Sequence, residues 1–340
     1  MRVLVTGGCG YIGSHTVLEL IKNKHEVIVI DNLINSSQEC LNRIKNITGK
    51  SLTFYKVDLC SDNELEKFFS ENQIDGVMHF AGLKAVGESS VIPIKYYSNN
   101  LNGAINLLDK MTKYNVNNLI FSSSATVYGE DAEIPYMEEM KLGNPSSPYG
   151  ATKLMIERII SDHAKAHPHF KAVILRYFNP IGAHPSGLIG EDPKGIPNNL
   201  LPFILQVASG RRESLKIFGK DYPTEDGTCK RDYIHIVDLA DGHLSALNWL
   251  EKQSNFSGTE IFNLGTGKAT SVLEIIHTFE NQTGIKIKYE FTKRRAGDLP
   301  EFWADNSKAL KVLRWNPNSS LKEMMIDSWN WQSKNPDGYE

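Results

Sequence analysis

Val3-Leu4-Val5-Thr6-Gly7-Gly8-Cys9-Gly10-Tyr11-Ile12-Gly13-Ser14 is the stretch that decides the fold. A short apolar, β-branched run enters a glycine-rich turn and leaves it into an amphipathic segment, the strand–turn–helix opening of a nucleotide-binding βαβ unit. Gly7, Gly10 and Gly13 fit GxxGxxG, and Gly8, Gly10 and Gly13 fit GxGxxG. The turn must be tight, backbone must approach a diphosphate closely, and the following helix must pack on the sheet with its N-terminus facing the anion. Asp31 follows eighteen residues after Gly13, at the end of the next β-branched run. A carboxylate there accepts hydrogen bonds from the adenosine ribose and repels a 2′-phosphate, so NAD is expected in preference to NADP. Asp58, ending the third run, is either a reader of the adenine edge or a solvated strand terminus.

Working outward, six runs read as strands: Arg2 to Thr6, Glu26 to Ile30, Leu52 to Val57, Gly76 to Phe80, Asn118 to Ser122 and Ala172 to Arg176. Helical patterns separate them, and this alternation predicts an α/β fold with a Rossmann-type, doubly wound parallel sheet. Their apolar stretches suit strands buried on both faces. After Arg176 the rhythm gives way to a Pro-, Gly- and Asn-rich stretch from Asn179 to Asn199, which reads as a binding loop. Helical patterns near Leu200 to Ser209, Val237 to Leu250, Val272 to Gln282 and Leu321 to Gln332 then mix with short strands near Ile261 to Leu264 and Ile285 to Phe291. The expected division is a dinucleotide domain over 1–178 and a smaller mixed α/β C-terminal substrate lobe over 179–340, with some strands and helices returning to the first domain.

Composition narrows the function. The 340 residues are 41% hydrophobic and 23% charged, an ordinary globular balance. The 37 basic and 40 acidic side chains give a net charge of -3, which argues against nucleic acid or an anionic membrane as partner. Apolar runs such as Val27 to Ile30 fall far short of a membrane span. Gly7 and Gly8 interrupt what would otherwise resemble a signal-peptide core, so a cytoplasmic protein is expected. Cys9, Cys40, Cys60 and Cys229 are scattered without a CxxC pair, which fits reduced thiols.

Tyr149 and Lys153 stand four apart at a helix start and so share a face. The same spacing recurs at Tyr289 and Lys293, within an alternating strand pattern, so spacing alone decides nothing. Context separates them, because Ser122-Ser123-Ser124 ends the fifth strand, where open parallel sheets bind ligands. A phenol acting as base near neutrality needs its pKa lowered by about 3 units from about 10. Lys153 and an oxidised nicotinamide ring are the cations expected to do this, with Ser124 holding the substrate hydroxyl. His163 and His167 have the i, i+4 spacing of metal ligands, but the glutamate of HExxH is missing and Pro168 ends the stretch. No metal is expected.

The glycine loop, Ser124 and YxxxK together resemble the extended short-chain dehydrogenase/reductases. Further stretches carry the likeness along the whole chain: His79 to Val86, Ser122 to Gly129, Leu175 to Pro180, Gly195 to Leu200, Tyr222 to Thr228, Arg231 to His235 and Arg294 to Pro300. Within that family they are similar to the nucleotide-sugar 4-epimerases. The resemblance implies a redox-neutral interconversion of UDP-glucose and UDP-galactose, in galactose metabolism. Tyr149 takes the 4-hydroxyl proton while hydride passes to tightly held NAD, and the 4-keto sugar turns over before hydride returns. It places cofactor contacts on Gly7, Gly10, Tyr11, Ile12, Gly13, Asp31, Asn32, Asn35, Ser36, Asp58, Leu59, Phe80, Ala81, Lys84, Asn99, Ser124, Tyr149, Lys153 and Phe178. Nucleotide-sugar contacts fall on Ser124, Tyr149, Asn179, Asn199, Leu200, Lys216, Phe218, Arg231, Arg295, Asp298 and Phe302. It also implies a homodimer joined by helices near Asn99 to Tyr114 and Pro148 to Ala166.

Dehydratases and decarboxylases of nucleotide sugars share the cofactor fold but carry an acid where this chain has Ala125-Thr126, so elimination is disfavoured. The alternatives are a 4-epimerase of UDP-glucuronate or a UDP-pentose, and a non-catalytic NAD-sensing module. Retention of Ser124, Tyr149 and Lys153 together speaks against the module. Relatives that accept N-acetylated sugars carry a small residue where this chain has Phe302, which is either a gate on the sugar pocket or a core residue of the second lobe.

Overall fold

The structure is a computed structural model that describes residues 1–130, 132–195, 197, 199–295 and 298–340. Of the motifs quoted above, Ile196, Asn198, Ala296 and Gly297 lie outside the described residues. In the first part the strands are β1 (Arg2–Thr6), β2 (Glu26–Asp31), β3 (Thr53–Lys56), β4 (Gly76–His79), β5 (Asn118–Ser122) and β6 (Lys171–Tyr177). Between them run α1 (Tyr11–Lys22), α2 (Glu39–Thr48), α3 (Asp62–Glu71), α4 (Val86–Val91), α5 (Pro93–Lys113) and α6 (Pro148–Ala166). The remainder carries β7 (Asn179–Ile181), α7 (Leu200–Ala208), β8 (Leu215–Phe218), β9 (Lys230–His235), α8 (Ile236–Glu251) and β10 (Gly258–Leu264). It ends with β11 (Ala269–Ser271), α9 (Val272–Thr283), β12 (Tyr289–Thr292), β13 (Glu301–Phe302) and α10 (Leu321–Lys334).

Seven strands form one parallel sheet in the order β10-β6-β5-β4-β1-β2-β3. The chain winds outward from β1 to β3 and then crosses back to β4. The carboxyl ends of β1 and β4 therefore flank a switch point, the place where open α/β sheets bind ligands. Val3, Leu4, Val5 and Thr6 are all fully buried, as a strand covered on both faces requires. One face packs under α1, α2 and α8 through Val17, Ile44 and Leu247, and the other under α3, α5 and α6 through Phe68, Leu107 and Ile156.

Two late elements return to this first part of the fold. β10 pairs with β6 from Gly258↔Lys171 to Leu264↔Tyr177, and α8 packs on α1. The second lobe is built on β9, which pairs with β7 and β13 in parallel and with β11 antiparallel, beside a β8–β12 pair. The strand expected near Ile285 to Phe291 starts only at Tyr289. Ahead of it, the N–H groups of Ile285 and Ile287 are taken by the Thr283 hydroxyl and the Glu280 carboxylate, so side chains substitute for a ladder. Among the described residues no helix is long and apolar enough to cross a membrane.

Candidate active site

The glycine loop folds as its composition demands. Gly7 has φ +68°, and a Cβ on Gly13 would lie 2.3 Å from the Gly7 carbonyl oxygen, so a side chain fits at neither place. Gly10 caps α1 with extended backbone and no side-chain bond, and the first turn holds no acidic residue. The positive end of the helix is thus open toward the switch point, where an anion is favoured. Across the loop, Asp31 accepts from the Cys9 N–H at 3.0 Å, the Leu33 N–H at 2.9 Å and the Ser36 hydroxyl at 2.8 Å. Its carboxylate is thereby fixed beside the loop.

Above the switch point lies a cavity of about 510 Å³. Every residue assigned above to the cofactor lines it, from Gly7 and Asp31 to Asn99 and Phe178. Asp58 accepts from the Cys60 N–H at 2.9 Å and from the Asn32 amide at 3.4 Å, which sets it on the same rim. Of the nucleotide-sugar residues, Ser124, Tyr149, Asn179, Asn199 and Phe302 line this cavity. Leu200, Lys216, Phe218, Arg231, Arg295 and Asp298 do not line it. Most of these sit on or beside β8, β9 and β13, where the Arg295 guanidinium lies 4.0 Å from the Phe218 ring centroid and Lys216 is exposed. Arg231 is held there by the Asp298 carboxylate and by the carbonyls of Lys230 at 2.7 Å and Leu299 at 2.9 Å.

Ser147 caps α6 by accepting from the Gly150 N–H, with Pro148 in the first turn, and this fixes Tyr149 at the helix start. Lys153, one turn on, donates to the Ser122 carbonyl at 2.7 Å, and its ammonium stands 5.9 Å from the Tyr149 ring centroid. Ser124 accepts from the Thr126 hydroxyl at 3.0 Å. The expected lowering of the phenol rests on Lys153 and the nicotinamide ring together; among the protein groups, burial prevails. Burial pushes Tyr149 up to about 12, opposed only by the Ser124 hydroxyl. Burial likewise brings Lys153 down to about 8, opposed by Glu157. The physical reason is desolvation: both groups are buried, and each resists its charged form.

Sequence reasoning passed over the layer beneath. Ser123 donates to Glu157 at 2.5 Å, and Arg176 donates to the same carboxylate at 2.7 and 3.0 Å, in a pair that is almost wholly buried. This ties α6 to the ends of β5 and β6, and the available signal was that Glu157 lies i+4 from Lys153. His79 also lines the cavity, joined to the Thr6 hydroxyl at 2.7 Å and kept neutral by burial, with a pKa near 3. Tyr289, the spacing decoy, is 39% exposed on β12 and does not line the cavity. His163 and His167 stack at 4.1 Å and bond to Thr112 and backbone. Among the described residues no three His, Cys, Asp or Glu side chains gather as a metal site.

A parallel Rossmann sheet with a capless helix over the switch point and a buried Ser-Tyr-Lys set defines the site of a nicotinamide-dependent enzyme. The chain belongs to the NAD dependent epimerase/dehydratase family, whose model matches residues 3–265. It is 55% identical over 338 residues to a UDP-glucose 4-epimerase of Erwinia amylovora, covering 99% of each chain. It is 54% identical over 340 residues to that of Bacillus subtilis, covering 100% of this chain and 99% of the relative. Its fold superposes with a TM-score of 0.95 on the UDP-glucose 4-epimerase of Bifidobacterium longum in complex with NAD+ and UDP, at 49% identity and coverage of 99% and 100%. The cradle fits NAD: glycine backbone and the open helix end for the diphosphate, Asp31 for the ribose.

The fit has a direct test. Gly13→Ala is expected to strip the purified protein of nicotinamide nucleotide and lower its Tm. The new methyl would meet backbone oxygen at 2.3 Å, and such overpacking costs about 1–3 kcal/mol or more. Nucleotide content after denaturation, together with thermal unfolding, checks it; wild-type nucleotide content would show that the diphosphate sits elsewhere.

Proposed function

We propose that the chain catalyses the reversible 4-epimerisation of UDP-glucose and UDP-galactose and serves galactose metabolism. The observation that carries this reading is that Ser124, Tyr149 and Lys153 share one cavity with the glycine loop and Asp31. Relatives bearing that activity by name, at 54–55% identity over the full chain, support the substrate. Bound NAD supplies a reversible hydride acceptor. Tyr149, oriented by α6, takes the proton of the sugar 4-hydroxyl and later returns it, and Ser124 hydrogen-bonds that hydroxyl. Lys153, anchored on the Ser122 carbonyl, contributes positive charge beside the phenol. Ala125 and Thr126 offer no carboxylic acid beside the serine, so the 4-keto sugar has no proton donor there for elimination.

In this reading the enzyme works in the cytoplasm, in keeping with four free cysteines, as a homodimer built on α5 and α6. Ile105 and Met155 stand 47% and 44% exposed on these two packed helices, an apolar seam that a second copy would cover. The deciding experiment incubates pure protein with UDP-galactose and no added cofactor, then identifies the product. UDP-glucose without accumulating NADH is the expected result. Stoichiometric NADH, or an absolute requirement for NADP, overturns the proposal.

A further inference from the structure

One wall of the cofactor cavity is made by Gly190, Glu191 and Asp192, in a loop without regular secondary structure. Backbone groups in such a loop must find partners outside any ladder. Here they find them in one place. The carbonyls of Pro185, Ser186 and Gly187 accept from Asn330 at 2.8 Å, Lys334 at 3.2 Å and Asn335 at 2.9 Å. Tyr339 closes the series, because its hydroxyl accepts from the Gly190 N–H and donates to the Gly190 carbonyl, both at 3.2 Å. The Tyr339 N–H donates to Asp192 at 3.2 Å, and Trp331 donates to the Glu191 carbonyl at 3.1 Å. The Trp331 and Tyr339 rings pack on each other, 4.8 Å between centroids, and Arg43, from α2, lies against both, 5.5 and 4.9 Å from those centroids.

The wall reaches across the cavity through one side chain. Glu191, only 11% exposed, accepts from Lys84 at 3.2 Å, and Lys84 comes from the opposite bank, beyond β4. The Lys84 ammonium lies 6.0 Å from the Tyr11 ring centroid, above the glycine loop, and Tyr11 in turn donates to the Gly182 carbonyl at 2.6 Å. The bridge thus stands at the cavity wall beside the glycine loop.

We infer that Tyr339 and Glu191 are positioning residues for the cofactor: Tyr339 fixes the Gly190–Asp192 wall, Glu191 holds Lys84 across the mouth, and together they set how long NAD stays bound. The inference rests on the reading that NAD occupies this cavity. Removing the Tyr339 hydroxyl frees the Gly190 backbone while the ring stays against Arg43. Removing the Glu191 charge opens the bridge while the wall stays pinned.

The experiment uses the protein as purified with its nucleotide, chased with isotopically labelled NAD+ and followed by mass spectrometry of the bound pool. Tyr339→Phe and Glu191→Gln are each expected to speed exchange about 10-fold, the scale of one or two net hydrogen bonds. The bridge is partly exposed and screened by salt, so exchange should rise more steeply with ionic strength in the wild type than in Glu191→Gln. A merely structural role would lower Tm without moving that salt dependence. Exchange within twofold of wild type in both variants overturns the inference and leaves the cofactor reading standing. A wild type that carries no nicotinamide nucleotide overturns both.

Discussion

Tyr149→Phe is expected to cut kcat about 10²–10⁴-fold, the scale for loss of a general acid–base group, while the protein stays folded. The ring is 8% exposed and packs with Leu83 and Tyr96, contacts that phenylalanine keeps. Only the oxygen is lost. That oxygen is a poor base as the protein alone presents it: burial holds the phenol at about 12, and forming phenolate at pH 7 then costs about 7 kcal/mol. Lys153, at about 8, gives up its proton first as pH rises, so it cannot by itself supply a lasting cation to a phenolate formed at higher pH. Stabilising the phenolate would then fall to the cationic nicotinamide ring that bound NAD would supply. Stopped assays of UDP-glucose formation, with Tyr289→Phe as matched control, decide the matter. Tyr289 is exposed and its variant should be close to neutral. If Tyr149→Phe kept more than a tenth of the wild-type rate, Tyr149 would not be the base.

The first half of the fold was legible because its signals are local. Each buried strand is a short β-branched run, and the glycine turn and the Pro148 helix start each act within one turn of themselves. β10 was less so. Its residues Gly258 to Leu264 pair with β6 more than eighty positions earlier, and nothing local marks which sheet an apolar run will join. The same holds for the loop wall, since the partner of Gly190 is Tyr339 and the partner of Leu188 is Arg43, 149 and 145 positions away. At the site, residue types and spacing revealed the Ser-Tyr-Lys set, whereas its protonation did not follow, because burial rather than charge dominates both groups. Arg231, Arg295 and Lys216 were grouped by family likeness with the sugar residues. They lie on the second lobe, on or beside β8 and β9, with Arg231 held by Asp298.

Phe302→Cys is expected to relax discrimination between plain and N-acetylated UDP-sugars. Phe302, on β13, lines the cavity and also packs against Tyr136 at 4.8 Å and Phe178 at 5.2 Å between ring centroids. The side chain is therefore placed for either a gate or a core role, and the two have separate readouts. As a gate, the ring leaves no room for a 2-acetamido group; forcing those atoms into a filled pocket costs about 1–3 kcal/mol, or roughly 10- to 200-fold in kcat/KM. The wild type should then prefer UDP-glucose and UDP-galactose over UDP-GlcNAc and UDP-GalNAc by that factor, and the variant should lose most of it. As a core residue, the ring belongs to an aromatic stack that Tyr136 extends to Tyr128 at 5.0 Å. Truncating a half-buried ring there should cost about 2 kcal/mol, seen as a lower Tm. The two effects are independent because selectivity compares substrates on the same folded enzyme, where a loss of stability cancels. Equal kcat/KM for both sugar pairs in the wild type would remove the gate, and a lower Tm with unchanged selectivity would leave Phe302 as packing alone.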